Sequence, residues 1–530
     1  MSKKRVLISD PMSSQAVSVF EQRGIEVVQT GKMTNEELIE MIPEFDGLAI
    51  RSASTVNESV LKAATKLKVV GRAGIGVDNV DVPACTAKGI VVMNTPMGNA
   101  ITTAEHALAM MFALARQIPQ ANQTTHAGAW AKSKYMGVEL TGKRLGIIGS
   151  GNIGSIVAEK AIGFGLKVQA YDPYLTEERA NSIGIKKVEL EELLSSSDII
   201  SLHVPKTPET ENIIDATALN KMKKGALLIN CARGGLVDEL ALRVALESGH
   251  IKGAALDVFV EEPAKENPLF GLENVICTPH LGASTTEAQE KVAVQIAEQI
   301  SDYLLEGSIN NALNAPSLSA EEVRQLQPYI NLANYLGTFI GQLTHTAVKG
   351  ITVNYAGDAA GLNLEPITTQ VVQAILARHF SSINVVNARE VARERGIHIT
   401  EAKEDLEDVY HNRITVTIAT EEKVRTASGT LIQNQPRMIE IKGIKLESEF
   451  GNHMLYITNQ DLPGVVGAIG NFAAEKNINI ANMHMGRRES RGDAISLLEI
   501  DAAVAPDDLE EFRKIENIRE VHYLNFEAIN

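Results

Sequence analysis

The chain has 530 residues and a formal net charge of −16. That length exceeds one hydrophobic core and predicts about three or four domains. The acidic balance argues against nonspecific nucleic-acid binding, though a local basic pocket can still exist. No window approaches an uninterrupted membrane span, and the opening MSKKRVLISD lacks the apolar stretch of a signal peptide. Cys85, Cys231 and Cys277 have neither metal-ligand nor disulfide spacing. They predict no metal site and a reducing, cytoplasmic setting.

Residues 5–10 read as a strand, 13–23 as a helix and 25–29 as a second strand. The alternation continues through 35–42, 47–50, 58–64 and 69–71. This predicts a small doubly wound α/β unit without a glycine fingerprint. RSAS at 51–54 and GRAGIGVDNVD at 71–81 follow strand ends, where open α/β sheets bind ligands. The second loop reads as a substrate loop or, more plainly, as a turn. Residues 94–116 form a capped, mostly apolar helix, predicted to lie buried between domains, with Thr102 or Thr103 as N-cap. His106 near its start reads as structural.

Residues 143–172, KRLGIIGSGNIGSIVAEKAIGFGLKVQAYD, carry the strongest motif. A short apolar strand precedes Gly149, Gly151 and Gly154 at GxGxxG spacing; a helix and a second strand ending on Asp172 follow. Gly149 makes the tight turn, Gly151 admits a pyrophosphate to the helix N-terminus, and Gly154 lets helix pack on strand. Asp172 is placed to accept from both ribose hydroxyls. Pro173 and Tyr174 follow it, with no cation for a 2′-phosphate, so NAD is favoured over NADP.

Strands at 197–202, 226–230, 254–258 and 275–278 each lead into a polar loop. Three of the loops hold Arg233, the pair Glu261 and Glu262, and His280. Oxidation of a secondary alcohol by NAD needs a base for the hydroxyl proton, a group that sets that base's pKa, and a cation for the substrate carboxylate. Imidazole titrates near neutrality, a nearby carboxylate raises its pKa and orients it, and a guanidinium fork matches a carboxylate. His280, a glutamate and Arg233 supply these parts; spacing does not choose between Glu261 and Glu262.

A long amphipathic helix spans 286–305, and NALNAPS at 311–317 reads as a linker. Residues 318–448 mix helices at 320–344 and 365–377 with strands at 350–355, 413–419 and 423–431, and hold no catalytic constellation. The last eighty residues order as βαββαβ, the ferredoxin-like arrangement.

The blocks GRAGIGVDNVD, NTPMGNAITTAEHALAM, LGIIGSGNIGS, CARGGLVDE, ALDVFVEEP and TPHLGAST resemble the D-isomer-specific 2-hydroxyacid dehydrogenases over residues 1–310. Within that family the chain is similar to the long form that acts on 3-phosphoglycerate, with an intervening domain and a C-terminal ACT domain. The resemblance implies two Rossmann-like domains, the substrate domain at 1–97 and 285–312 and the NAD domain at 98–284. An α+β intervening domain at 317–449 and an ACT domain at 452–530 would follow. It implies oxidation of 3-phospho-D-glycerate to 3-phosphooxypyruvate, the first step of L-serine biosynthesis. A broader activity on glycerate, lactate or 2-hydroxyglutarate, or a non-catalytic NAD sensor, are the alternatives.

The resemblance also assigns residues. Arg233, Glu262 (by its place before Pro263) and His280 are the triad. NAD contacts fall on Gly149, Gly151, Asn152, Ile153, Gly154, Asp172, Val204, Cys231, Ala232, Arg233, Asp257, His280, Leu281, Gly282 and Ala283. Arg51, Ser52, Arg72, Asn99 and Arg233 frame the substrate, and Trp130 and Lys132 reach a neighbouring subunit's site. Asn459, Asp461 and Asn479 match an L-serine effector site, with Gly464 permitting close approach; Asn459 departs from the larger His or Tyr of some relatives. A homotetramer is the implied assembly.

Overall fold

A computed structural model describes residues 3–378, 380, 383–405, 409–527 and 529; residues 1, 2, 528 and 530 of the expected end domains lie outside these. Two compact units divide the chain. One comprises Met1–Thr55, Gly71–Val80 and Met93–Ile300, the other Val56–Val70, Asp81–Val92 and Ser301–Asn530.

Short apolar runs build the first sheet: Arg5–Ile8 (β1), Glu26–Gln29 (β2), Gly47–Ile50 (β3), Val69–Arg72 (β4) and Val91–Met93 (β5), in the order β2-β1-β3-β4-β5. β1 runs parallel to both β2 and β3.

The second sheet has seven strands: Arg144–Ile148 (β6), Lys167–Tyr171 (β7), Lys186–Lys187 (β8), Ile199–Leu202 (β9), Ala226–Asn230 (β10), Ile251–Leu256 (β11) and Val275–Cys277 (β12). Their order is β12-β11-β10-β9-β6-β7-β8, all parallel. The order reverses between β6 and β9, the switch point where a doubly wound sheet opens a crevice. GLAI and ALLIN are buried at every position. Continuous apolar runs of this kind suit strands covered on both faces. One face carries Leu145, Ile147 and Ile229 against Ala104, Leu108 and Ala158; the other carries Ile148, Leu228 and Leu256 against Leu193, Leu219 and Leu242.

One expectation needs correction. The helix Ala100–Arg116 begins at its N-cap Asn99, not at Thr102 or Thr103, and has no side-chain cap. Thr103 Oγ1 is already engaged, donating to Asn99 O at 3.1 Å as an interior helical threonine does. Residues 311–317, read as a linker, join the helices Thr286–Glu306 and Ala320–Gln342 without a helix or strand of their own and are tied down by side-chain and backbone bonds. Leu313 N donates to Val92 O (2.8 Å). Asn314 Oδ1 accepts from Val92 N, while its Nδ2 donates to Thr86 Oγ1 and Ile90 O, each at 2.9 Å. A carboxamide offers both donor and acceptor, so one side chain clamps three partners.

The third sheet contains Val348–Gly357 (β13), His398–Glu404 (β14), Asn412–Thr420 (β15), Val424–Ile432 (β16), Gln435–Ile441 (β17) and Ile444–Ser448 (β18), in the order β14-β13-β15-β16-β17-β18. β14 is parallel to β13; the other pairs are antiparallel. β14 and the helix Ala388–Glu394 have no counterpart in the sequence expectations. β14 is largely exposed and lacks an apolar alternation.

The fourth sheet has His453–Gln460 (β19), Ile480–Arg487 (β20), Asp493–Ile500 (β21) and Ile518–Asn525 (β22), ordered β20-β21-β19-β22, with helices Val465–Glu475 and Pro506–Phe512. This is the expected βαββαβ fold. In β19, Leu455 and Ile457 pack with Ile469 and Phe512, whereas Met454 and Tyr456 join the core of Leu332, Leu336 and Ile351. Burial on both faces explains the unbroken apolar MLYI.

Candidate active site

At the carboxyl end of β6 the chain turns through Gly149, whose φ is +91°; a Cβ there would meet His203 O at 2.7 Å and Val204 Cγ1 at 2.6 Å. At Gly154 it would lie 2.0 Å from Gly149 O, so the helix Asn152–Gly163 seats on the turn only because Gly154 has no side chain. Gly151 differs: an added Cβ meets nothing within 4 Å. That open space, in front of a helix N-terminus, fits a pyrophosphate.

Asp172 ends β7 in contact with the same turn. Its Oδ2 accepts from Ser150 N (2.8 Å) and Ser150 Oγ (3.0 Å), its Oδ1 from Tyr174 N (2.9 Å). Accepting from two ribose hydroxyls requires the Ser150 hydroxyl to rotate away. Asn152 Nδ2 donates to Pro96 O at 3.4 Å. Ile153 is half-buried, and Cys231 and Ala232 are buried at the end of β10. The Cys231 thiol lies in the core, where burial and the Asp257 charge push its pKa up.

The loops after β10, β11 and β12 place the expected triad together. His280 Nδ1 lies 2.7 Å from Glu262 Oε2. An ionised carboxylate only accepts, so Nδ1 carries the proton and Nε2 is left as the base. Glu262 is itself held, its Oε1 accepting from Phe259 N at 3.0 Å. Hydrogen bonding to Glu262 raises the His280 pKa; burial opposes this, the Glu262 and Asp257 charges add to it, and Arg233 lowers it. Burial works to raise Glu262, but bonds from His280 and Phe259 N–H bring it below the usual range.

His280 sits at φ +54°. The fully buried Asp257 secures this turn: its carboxylate accepts from Leu281 N (2.7 Å), Gly282 N (2.8 Å) and Thr278 Oγ1 (2.6 Å), and its carbonyl accepts from His280 N. His106 Nε2 approaches Thr278 Oγ1 and Asp257 Oδ1, both at 3.3 Å. The hydroxyl proton is given to Asp257, so His106 donates. Ala283 completes the turn.

Arg233 donates from Nε to Asp78 Oδ2 (3.0 Å) and from a terminal nitrogen to Ala232 O (2.7 Å). A Cβ at Gly76 would lie 1.8 Å from the other terminal nitrogen of Arg233, and one at Gly74 2.0 Å from Arg72. The glycines of GRAGIG thus make room for two guanidiniums. Arg72 is lowered to about 10, first by burial, then by Arg233, with Asp78 opposing. Its Nε is buried without a partner, as is Asn99 Oδ1. Arg51 also contributes charge at Arg72, and its terminal nitrogen reaches Pro11 O at 3.1 Å. Ser52 is exposed beside it. Asp78 had no sequence-based role; it stands 155 residues from Arg233.

Elsewhere, Trp130 is 88% exposed, next to the short turn Lys132–Lys134, and the helix Ile118–His126 buries no residue. The three candidate effector residues each have partners of their own. Asp461 Oδ2 accepts from Arg487 (2.8 Å) and Arg491 N (3.2 Å). Asn479 donates to Asp501 (2.7 Å). Buried Asn459 donates to Gln460 O, its Oδ1 unpaired. Gly464 is the left-handed N-cap of Val465–Glu475. Among the described residues no cluster could hold a metal and no helix is long and apolar enough to cross a membrane.

The family model "D-isomer specific 2-hydroxyacid dehydrogenase, NAD binding domain" matches residues 108–282, and "D-3-phosphoglycerate dehydrogenase intervening domain" matches 325–442. A D-3-phosphoglycerate dehydrogenase of Synechocystis sp. is 43% identical, covering 98% of this chain and 94% of its own length. That of Bacillus subtilis is 41% identical, covering 98% and 99%. Among solved structures, a D-lactate dehydrogenase from Aquifex aeolicus, complexed with NAD and lactic acid, aligns with TM-score 0.53 and 28% identity. It covers 59% of this chain and all of that one. With its NAD-binding and intervening domains both matched, and curated relatives aligned over nearly its whole length, the chain belongs to the D-3-phosphoglycerate dehydrogenase family.

Proposed function

We propose that this enzyme oxidises 3-phospho-D-glycerate to 3-phosphooxypyruvate with NAD, the first step of L-serine biosynthesis. The observation that carries the reading is the His280–Glu262 pair at 2.7 Å, with Arg233 close enough for its charge to act on the imidazole. His280 Nε2 takes the proton of the substrate 2-hydroxyl. Glu262 fixes the ring and favours the imidazolium that forms. Arg233 receives the substrate carboxylate on its unpaired terminal nitrogen. Arg72 and Arg51, with Ser52, hold the phosphate, and Asn99 borders the reacting carbon. Asn152, Ile153, Val204 and the 280–283 turn would line the seat of NAD, which would supply the acceptor for the hydride of C2.

Steady-state kinetics test both parts of the reading. Removal of the substrate phosphate is expected to lower kcat/KM sharply; an unchanged value would replace 3-phosphoglycerate by a general 2-hydroxy acid. His280→Asn is expected to keep NADH affinity and lose turnover by roughly 10²–10⁴-fold; undiminished turnover defeats the mechanism.

The organisation proposed with it is a substrate domain (1–97 and 285–312), an NAD domain (98–284), an intervening domain (317–449) and an ACT domain (452–530). The exposed Trp130 and the unburied helix Ile118–His126 support a homo-oligomer, a tetramer in this proposal. Trp130 and Lys132 then approach a neighbour's site. L-serine is the proposed effector through Asn459, Asp461 and Asn479, and the setting is the cytoplasm. Velocity measured with and without serine, in the wild type and Asn479→Ala, reads the effector directly.

A further inference from the structure

The loop that carries Glu262 has little structure of its own. Between the end of β11 at Leu256 and the start of β12 at Val275 there is no helix or strand. Yet the aim of Glu262 at His280 depends on this loop. Outside side chains brace it: Arg243 donates to Pro268 O at 3.2 Å and Gln120 to Glu273 O at 2.9 Å, and a third, Glu239, holds it closest to Glu262, at Val260 N. Glu239 is the first residue of the helix Glu239–Glu247, a position where a carboxylate normally serves its own helix. Here Asp238 already caps that helix, its Oδ1 accepting from Leu240 N and Ala241 N, both at 3.0 Å. Glu239 is therefore free to point elsewhere. Its Oε1 accepts from Val260 N at 2.9 Å and its Oε2 from Asn267 Nδ2 at 2.8 Å.

Those two partners bracket Glu262. Val260 adjoins Phe259, whose N–H binds Glu262 Oε1. Asn267 Oδ1 accepts from Leu269 N at 3.0 Å and so closes the far side of the loop. A second contact joins the same segments: a Cβ at Gly234 would lie 1.8 Å from Phe259 O. The Arg233 segment and the Glu262 segment thus meet both backbone to backbone and through Glu239. Cys277 is the titratable group facing Glu239; its thiol is pushed up to about 11, by burial and then by that carboxylate.

We propose that Glu239 is a positioning residue for the reaction, bridging the Arg233 and Glu262 segments so that Glu262 is held against His280. The inference rests on the catalytic reading above. It touches neither substrate nor cofactor; it acts through Val260 and Asn267. A misplacement near 1 Å of a catalytic group can lower rates about 10²-fold.

The test is the titration of the His280 imidazole by NMR in ligand-free full-length protein, assigned by its loss in His280→Asn. The charged groups acting on His280 are Glu262, Asp257 and Arg233, and of these Glu239→Ala releases Glu262. The expected result is a His280 pKa below wild type in Glu239→Ala and nearer wild type in Glu239→Gln, whose amide oxygen can still accept from Val260 N. kcat with 3-phosphoglycerate is expected to fall about 10- to 100-fold in Glu239→Ala, with NADH affinity within about twofold. Asn267→Ala, which removes one of the two anchors, gives a smaller shift in the same direction and serves if Glu239→Ala does not fold. A His280 titration unchanged in Glu239→Ala or Asn267→Ala overturns the proposal, whatever happens to kcat. A wild type that fails to oxidise 3-phosphoglycerate overturns the functional reading instead, and leaves the NMR comparison able to decide this one.

Discussion

Gly151 and Gly154 stand three residues apart in one motif, and the structure separates their consequences. In Gly154→Ala the new Cβ would lie 2.0 Å from Gly149 O, whereas a carbon–oxygen contact settles near 3.3 Å. The obstacle is backbone, so no rotamer change relieves it, and the helix Asn152–Gly163 must lift by roughly 1 Å. Overpacking of this kind costs about 1–3 kcal/mol. If the free protein relaxes by opening the turn, restoring it around a pyrophosphate takes the same energy from binding. At 1.4 kcal/mol per decade, that weakens NADH affinity about 5- to 150-fold. Gly151→Ala meets open space at a φ of −67°, which alanine accepts. Ligand-free stability should change by less than about 1 kcal/mol, as for a modest N-cap replacement, while NADH affinity falls about tenfold or more because the methyl occupies the approach to the helix N-terminus. Thermal melting without ligand and NADH fluorescence titration read the two effects separately. Wild-type NADH affinity in Gly151→Ala would refute the placement of the pyrophosphate. Unchanged melting and affinity in Gly154→Ala would refute the clash.

Two further outcomes follow from groups described above. Alcohol oxidation needs His280 unprotonated, and Glu262 raises its pKa above the ordinary 6.5. The forward rate should therefore rise with pH through a midpoint above 6.5, and the reverse rate, which needs the imidazolium, should fall through it; Glu262→Gln should move both midpoints downward in pH-rate profiles. Asn314→Ala removes three hydrogen bonds at part-buried sites. At about 1 kcal/mol each, it should destabilise the unit containing Val92 by about 2–3 kcal/mol, seen as a lower melting temperature with unchanged NADH affinity.

What could be read from residue order was whatever depends on neighbours in the chain. The GxGxxG turn, the apolar parallel strands and each element of the βαββαβ ending declare themselves in local pattern. Arg233, His280 and the pair Glu261 and Glu262 were visible because each follows a strand end, and the family resemblance chose Glu262. Their bracing was not. Asp78 reaches Arg233 across 155 positions and Glu239 reaches Val260 across 21, and no periodicity marks either. The N-cap at Asn99 was missed because two threonines matched the usual capping preference, though Thr103 was engaged inside the helix. β14 was missed because an exposed edge strand needs no apolar face. Asn314 read as part of a linker, since a polar residue among small ones and proline gives no sign of three part-buried bonds.

The shared core beneath the third and fourth sheets has a mechanical consequence. Met454, Tyr456, Leu497, Leu524 and Phe526 belong to the same apolar cluster as Leu332, Phe339, Ile351 and Val416. Tyr335 stacks on Phe450 at 4.5 Å and lies 5.8 Å from Phe526. Gln342 exchanges two hydrogen bonds with the backbone of Asn525, both at 3.0 Å. No hinge of solvated chain separates these layers. They are expected to melt as one cooperative element, and a chain truncated after the third sheet would be left with an open wound of aromatic surface. A change that tightens or loosens the last eighty residues would therefore reach the helix Ala320–Gln342 as a change in packing, with the stiffness of a solid rather than the slack of a tether.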